Sequence, residues 1–193
     1  DQEYLIEALE RLGDSFVGVA NVPPDITEKE LERLHETNVV AVRFNLKRGS
    51  TANIENMERL SNKLFDRYGW HTELYLDNSR LKNLKGALEN LPRFSIDHLG
   101  VTKEGLRDLY SWVEKGVRVK ATGFGRIEFD PVPVMKRIYE INPKALYFGT
   151  DLPSTRARVP FSKKDVQLIK DNFSPTEQVN IFISNAVDWY RRT

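Results

Sequence analysis

Cysteine is absent from all 193 residues, which removes disulfide staples, thiolate nucleophiles and Cys-ligated zinc. Any metal site must therefore draw on His, Asp, Glu or water. A dominant charge is missing as well: 29 basic against 28 acidic residues leave a net charge of +1. No global field pulls such a chain onto nucleic acid or an anionic membrane, and a small partner is favoured. No apolar run reaches the roughly 18 residues that a bilayer span requires. The segment Asp1 to Glu10 lacks the basic and apolar regions of a signal peptide. The sequence reads as soluble, and a cytosolic location fits.

What the chain does have is a regular alternation. Leu5, Ile6, Leu9 and Leu12 recur at helical spacing before Gly13. The Val-rich stretch Phe16–Val22 reads as a strand. It is followed by a helix from about Thr27 to Glu36, where Thr27 and Glu30 have the spacing of a capping box. The pattern repeats as strand Val39–Leu46 with helix Ile54–Tyr68, strand Thr72–Asp77 with helix Ser79–Leu91, and strand Phe94–Gly100 with helix Lys103–Lys115. Strand Val117–Gly123 then precedes helix Val132–Ile141, and strand Ala145–Asp151 precedes helices near Lys164–Asn172 and Thr176–Arg191. Near-continuous apolar strands, each followed by a helix, indicate α/β architecture with a parallel sheet covered on both faces.

Six such units suit an open doubly wound sheet or most of a barrel. The first option normally brings a glycine-rich phosphate loop after a strand. The nearest candidate here, Gly123-Phe124-Gly125-Arg126, lacks the third glycine. A TIM (β/α)8 barrel needs eight strands and about 250 residues. Because the sequence opens on a helix, the expectation is one domain over residues 1–193 that supplies strands 3 to 8, with strand 1, helix 1 and strand 2 upstream.

Functional groups in parallel sheets gather at the carboxyl ends of strands. Here those ends are polar. Val39–Leu46 delivers Arg43 and Asn45, with Lys47-Arg48 beyond; Thr72–Asp77 delivers Tyr75 and Asp77; Phe94–Gly100 delivers Asp97 and His98. Lys120 and Arg126 come from the fifth unit. Asp151 ends the sixth and is followed by Arg156 and Arg158. A basic rim of this kind suits an anionic, carboxylate-bearing ligand. The competing reading makes Arg43, Lys120 and Asp97 buried ion pairs of the sheet. Among the three histidines, His35 lies on a polar helix and His71 precedes a strand, so both are assigned to structure or solvent, and His98 is the candidate. One histidine and one aspartate do not close a zinc site. No Gly-x-Ser-x-Gly elbow is present, and Asp151 as general base with water as nucleophile is the leaner chemistry.

The strand tips Val42-Arg43-Phe44-Asn45, Ile96-Asp97-His98-Leu99-Gly100, Val119-Lys120-Ala121-Thr122-Gly123 and Phe148-Gly149-Thr150-Asp151-Leu152-Pro153 resemble the amidohydrolase-2 group of the amidohydrolase superfamily. Within it the lactonases that act on 2-pyrone-4,6-dicarboxylate look nearest. The resemblance spans essentially the whole chain, to Asn185-Ala186, where the group usually has Asn-Pro. It implies a hydrolase of lactones or related carboxylate-bearing carbonyl compounds. Asp151 would be the general base and His98 the polar partner, with Arg43, Tyr75 and Arg126 on substrate carboxylates and Asn45 and Lys120 lining the same rim. The group's His-x-His pair on strand 1 is not among these residues and would lie upstream. Some relatives hold a divalent metal such as zinc, for which His98 and Asp151 would serve as ligands, and others work without one. A zinc-dependent amidohydrolase or decarboxylase, and an inert barrel that binds an anionic metabolite, are the alternatives; a homo-oligomer fits any of them.

Overall fold

The structure, a computed structural model, describes residues 2–47 and 54–191. The chain divides into two compact units, the first spanning Asp1–Leu74 and Lys85–Phe94, the second Tyr75–Leu84 and Ser95–Arg191.

In the first unit, α1 (Glu3–Leu12) buries Ile6 and Leu9 and stops where Gly13, at φ 77°, returns its N–H to the Leu9 carbonyl. Next come β1 (Gly18–Ala20), α2 (Glu28–Glu36), β2 (Val39–Asn45), α3 (Ile54–Tyr68), β3 (His71–Tyr75) and α4 (Lys85–Glu89). The capping box is present: Thr27 Oγ1 accepts from the Glu30 N–H, and the Glu30 carboxylate accepts from the Thr27 N–H at 3.0 Å. Strands β1 and β2 run parallel with Val19 beside Ala41 and Ala20 beside Val42, and the sheet order follows the chain, β1-β2-β3. Gly18 lies where any Cβ would come within 2.8 Å of the Leu9 side chain, so α1 packs directly on β1. Ile6, Leu9, Ala20, Leu31, Leu34, Val39, Val42, Leu60, Leu64 and Trp70 make one core. Burying each of the Leu, Ile and Val side chains among them contributes about 1.5–3 kcal/mol.

Two histidines fall in this unit. His35 accepts a hydrogen bond from the Trp70 indole at 3.2 Å and stacks on Tyr68. His71 is buried, 3.5 Å from Glu73, so of the two expected roles it has the structural one.

The second unit holds β4 (Phe94–Ile96, from Ser95 onward), α5 (Leu106–Glu114), β5 (Arg118–Ala121), α6 (Pro131–Ile141), β6 (Leu146–Phe148), α7 (Lys163–Asn172), α8 (Pro175–Val179) and α9 (Asn185–Tyr190). Here β4 pairs parallel with β5, and β5 with β6, placing Lys120 beside Tyr147. Helix α5 buries Leu109, Trp112 and Val113, and α6 buries Val134, Met135 and Ile138. Asn185 ties α9 to the start of β6 by donating to the Pro143 and Leu146 carbonyls at 2.8 and 2.7 Å. No helix among the described residues is long and apolar enough to cross a membrane.

Each of the six strands ends earlier than expected. Phe94–Gly100 stops at Ile96 because His98, Leu99, Gly100 and Val101 all take positive φ, which a pleated strand cannot accommodate. Val117–Gly123 stops at Ala121, before Gly123 at φ 58°, and Ala145–Asp151 stops at Phe148. The helix expected over Ser79–Leu91 is split into a 3-10 turn at Asn78–Arg80 and the short α4. The terminal helix carries a π segment over Asn180–Ser184.

Candidate active site

The side chains that matter converge beyond the carboxyl ends of the strands of the second unit. Tyr75, the last residue of β3 and the first of this unit, sets its ring edge-on to His98 at 5.1 Å between centroids. His98 leads the 3-10 turn after β4 at φ 53°. The residue is buried, its side chain 7 % exposed, and its imidazole has two partners here. Nδ1 is 2.7 Å from the Thr122 hydroxyl, and Nε2 is 3.8 Å from Asp151 Oδ1. Thr122 is the first residue past β5. Its contact with Nδ1 fixes the ring plane and directs Nε2 at the carboxylate.

Asp151 stands three residues beyond β6, at φ 59°. Its two oxygens are used differently. Oδ2 accepts from Arg126 Nε at 2.6 Å, while Oδ1 accepts no hydrogen bond from the described residues and faces His98. Arg126, on the 3-10 turn Phe124–Arg126, also donates from Nη2 to the Thr155 carbonyl at 3.0 Å, so its head is braced on both sides. The brace leaves Nη1 for an anion. Gly123 completes the arrangement: a Cβ there would lie 2.6 Å from His98 Nδ1 and 3.1 Å from Asp151 Oδ2. Only a residue without a side chain leaves room for both groups.

Non-glycine residues at positive φ are uncommon, and in such numbers they collect where a fold stores strain for a purpose. Here they include His98 and Asp151 themselves, with Leu99, Val101, Ser154 and Arg156 around them.

Of the residues picked out from sequence, the structure thus joins His98, Asp151, Arg126 and Tyr75. Lys120 sits one strand position from the site, and its ammonium pairs with Asp97 at 3.1 Å, the aspartate being nearly fully buried. The ion-pair reading therefore holds for that couple. Arg43 and Asn45 close β2 in the first unit, half-buried; Arg156 and Arg158 are exposed on the loop after β6; Arg48 lies outside the described residues. Thr122 and Gly123 carry no assignment in the sequence reading, although both stand inside a motif quoted there. A glycine at the end of the expected strand, next to a hydroxyl residue, was the available signal.

For a metal, His98 Nε2 and Asp151 Oδ1 are two donors at a suitable separation, but a zinc centre takes three or four protein ligands. Among the described residues no cluster of three His, Asp or Glu side chains could hold an ion. Asp151 is moreover already bonded to a guanidinium, which competes with a dication for the same carboxylate. The residues present do not by themselves make a metal centre.

Comparison with known proteins gives consistent matches. The model of the amidohydrolase family matches residues 1–192. A 2-pyrone-4,6-dicarboxylate hydrolase of Comamonas testosteroni is 29% identical, over 79% of this chain and 58% of its own length. A 4-sulfomuconolactone hydrolase of Hydrogenophaga intermedia is 26% identical, over 92% of this chain and 65% of its own. The chain thus spans about three fifths of the length of these relatives. A crystal structure described as a 2-pyrone-4,6-dicarboxylic acid hydrolase from Pseudomonas putida superposes with a TM-score of 0.75 at 20% identity, covering 98% of this chain and 77% of the other. The fold is accordingly that of the (β/α)8 barrel, with six of its strands and their helices present.

Proposed function

Because the chain belongs to the amidohydrolase family, we propose that it forms, as one domain over residues 1–193, the strand 3 to strand 8 part of a barrel hydrolase that opens a carboxylate-bearing lactone or related carbonyl compound by adding water. The observation that carries this reading is the split use of Asp151: one oxygen held by Arg126, the other open and facing His98. A carboxylate fixed at one oxygen and free at the other is oriented as a general base. Asp151 Oδ1 takes a proton from water, whose oxygen adds to the lactone carbonyl carbon. His98 Nε2 steadies the charge that develops on the carbonyl oxygen. When the ring C–O bond breaks, the proton on Asp151 passes to the departing ring oxygen, leaving an open-chain acid and a hydroxyl or enol.

Substrate orientation falls to the cations. Arg126 offers Nη1 to a substrate carboxylate, Tyr75 offers its ring, edge-on to His98, and Lys120, paired with Asp97, adds positive charge nearby. The partner is a small anion, with no nucleic acid or membrane involved, and the setting is cytosolic. The names of the two curated relatives, both lactone hydrolases, support the substrate class.

The test is direct. Asp151→Asn keeps the shape and removes the base. With 2-pyrone-4,6-dicarboxylate or 4-sulfomuconolactone as substrate, loss of the ring chromophore should stop in the variant while circular dichroism is unchanged. Turnover that survives the substitution excludes Asp151 as the base.

A further inference from the structure

We propose that Asn78 is a positioning residue that clamps the left-handed turn presenting His98. Asn78 follows β3 and is fully buried. Both protons of its amide are used on that one turn: Nδ2 donates to the Leu99 carbonyl and to the Thr102 carbonyl, each at 2.9 Å. The neighbouring Ser79 N–H adds a bond to Thr102 Oγ1 at 3.3 Å. Two glycines are shaped to the same side chain and its backbone. A Cβ on Gly100 would fall 1.7 Å from Asn78 Oδ1, and one on Gly105 would fall 2.1 Å from the Asn78 carbonyl oxygen.

The turn needs such a clamp. His98, Leu99, Gly100 and Val101 sit in succession at φ 53°, 51°, 70° and 61°. Three of the four carry side chains, and Val101 is β-branched, the type least tolerant of that region. A run of this kind persists only where surrounding bonds over-determine it. The backbone contributes Gly100 N–H to Asp97 O and Val101 N–H to His98 O, each at 3.0 Å, and Asn78 secures the far side. Released from Asn78, the turn can relax towards negative φ, which swings the imidazole of His98 away from Thr122 and Asp151. In this scheme Asn78 acts through the backbone, by its bonds to the Leu99 and Thr102 carbonyls. The catalytic part of the inference rests on His98 serving the proposed hydrolysis, and the conformational part does not.

Asn78→Asp is close to isosteric, removes both donors and faces two carbonyls with carboxylate oxygen; Asn78→Ser is smaller and uncharged. Both are made in protein labelled with 15N-histidine; the sequence has three histidines, and His35 and His71 serve as internal references for His98. The expected result is a shift of the His98 ring signals alone, together with a fall in kcat of roughly 100-fold, the sensitivity of positioned groups to displacements of about 1 Å, and a smaller change in KM. Unmoved His98 signals in a folded variant overturn the clamp, and moved signals with undiminished kcat overturn its role in turnover. If both variants fail to fold, or all three histidines move, Asn78 supports the fold at large and the proposal falls. If the wild-type protein turns over neither 2-pyrone-4,6-dicarboxylate nor 4-sulfomuconolactone while Asn78→Asp shifts His98 alone, the clamp stands and the hydrolase reading falls.

Discussion

Gly123→Ala separates the chemistry of the site from its stability. Gly123 sits at φ 58°, ψ 45°, the left-handed region. An L-residue pays roughly 1–2 kcal/mol to stay there. For a chain of this size that lowers Tm by about 2–8 °C, at 2–4 °C per kcal/mol. The greater effect is local. The new methyl would lie 2.6 Å from His98 Nδ1, against an ordinary contact of about 3.5–4.0 Å, so the imidazole must retreat by roughly 1 Å. In retreating it gives up the 2.7 Å contact with Thr122 and the approach to Asp151. A displacement of that order costs about 100-fold in rate. Gly116→Ala is the matched control: φ is also positive, at 94°, but nothing lies within 4 Å of the added carbon. The assay is lactone disappearance at saturating substrate alongside a thermal melt for each protein. Both variants should melt earlier, and only Gly123→Ala should lose turnover. Equal kcat in Gly123→Ala and wild type would refute the placement of the reacting carbonyl against His98.

Further expectations follow from neighbouring contacts. Thr122→Val removes the hydroxyl without changing shape and leaves a buried imidazole nitrogen without its partner, a loss of about 1–3 kcal/mol in stability by urea unfolding; turnover should fall in parallel, and unchanged turnover would detach Thr122 from the site. Prolonged dialysis against a chelator should leave the hydrolysis rate intact, whereas a rate lost to chelation and restored by zinc would replace water activation by Asp151 alone with a metal-assisted route. In the first unit, the hydrogen bond from Lys63, with Arg67 close by, holds the Glu28 carboxyl below its usual pKa, so the stability it contributes is present above the ordinary carboxylate value and is lost as pH falls through the lowered one. Glu28→Gln should therefore be less stable than wild type at pH 7, and the difference should close in acid; a gap that persists in acid would show that the pairing is not its source.

The architecture was legible because it is written in repeated local signals. Leu5, Ile6 and Leu9 mark the buried face of α1, Thr27 and Glu30 build the cap of α2, and Ile54–Tyr68 is helical at both predicted ends. Each depends on residues within a few positions of one another, and hydrophobic period and cap chemistry report such relations well. The helix expected at Ser79–Leu91 failed for a non-local reason. Asn78 spends its amide on Leu99 and Thr102, more than twenty residues away, and the chain there follows those bonds rather than its own helical propensity.

The site was half legible for a related reason. Rules about where chemistry sits on a parallel sheet pick out His98 and Asp151 as ends of strands. In the structure neither is in a strand. Each stands in a turn at positive φ, a conformation that neither histidine nor aspartate announces in sequence. The same geometry explains both the misplaced strand ends and the arrangement of the site. A residue continuing the pleat must send its side chain to one face or the other of the sheet, and leaving the pleat frees His98 and Asp151 from that choice. They can then aim at one another, Nε2 to Oδ1, across a space that Gly123 keeps open. The premature strand ends in the second unit and the geometry of the candidate site are thus one feature. Substitutions that restore extended backbone at His98 or Asp151 should lengthen a strand and dismantle the site together.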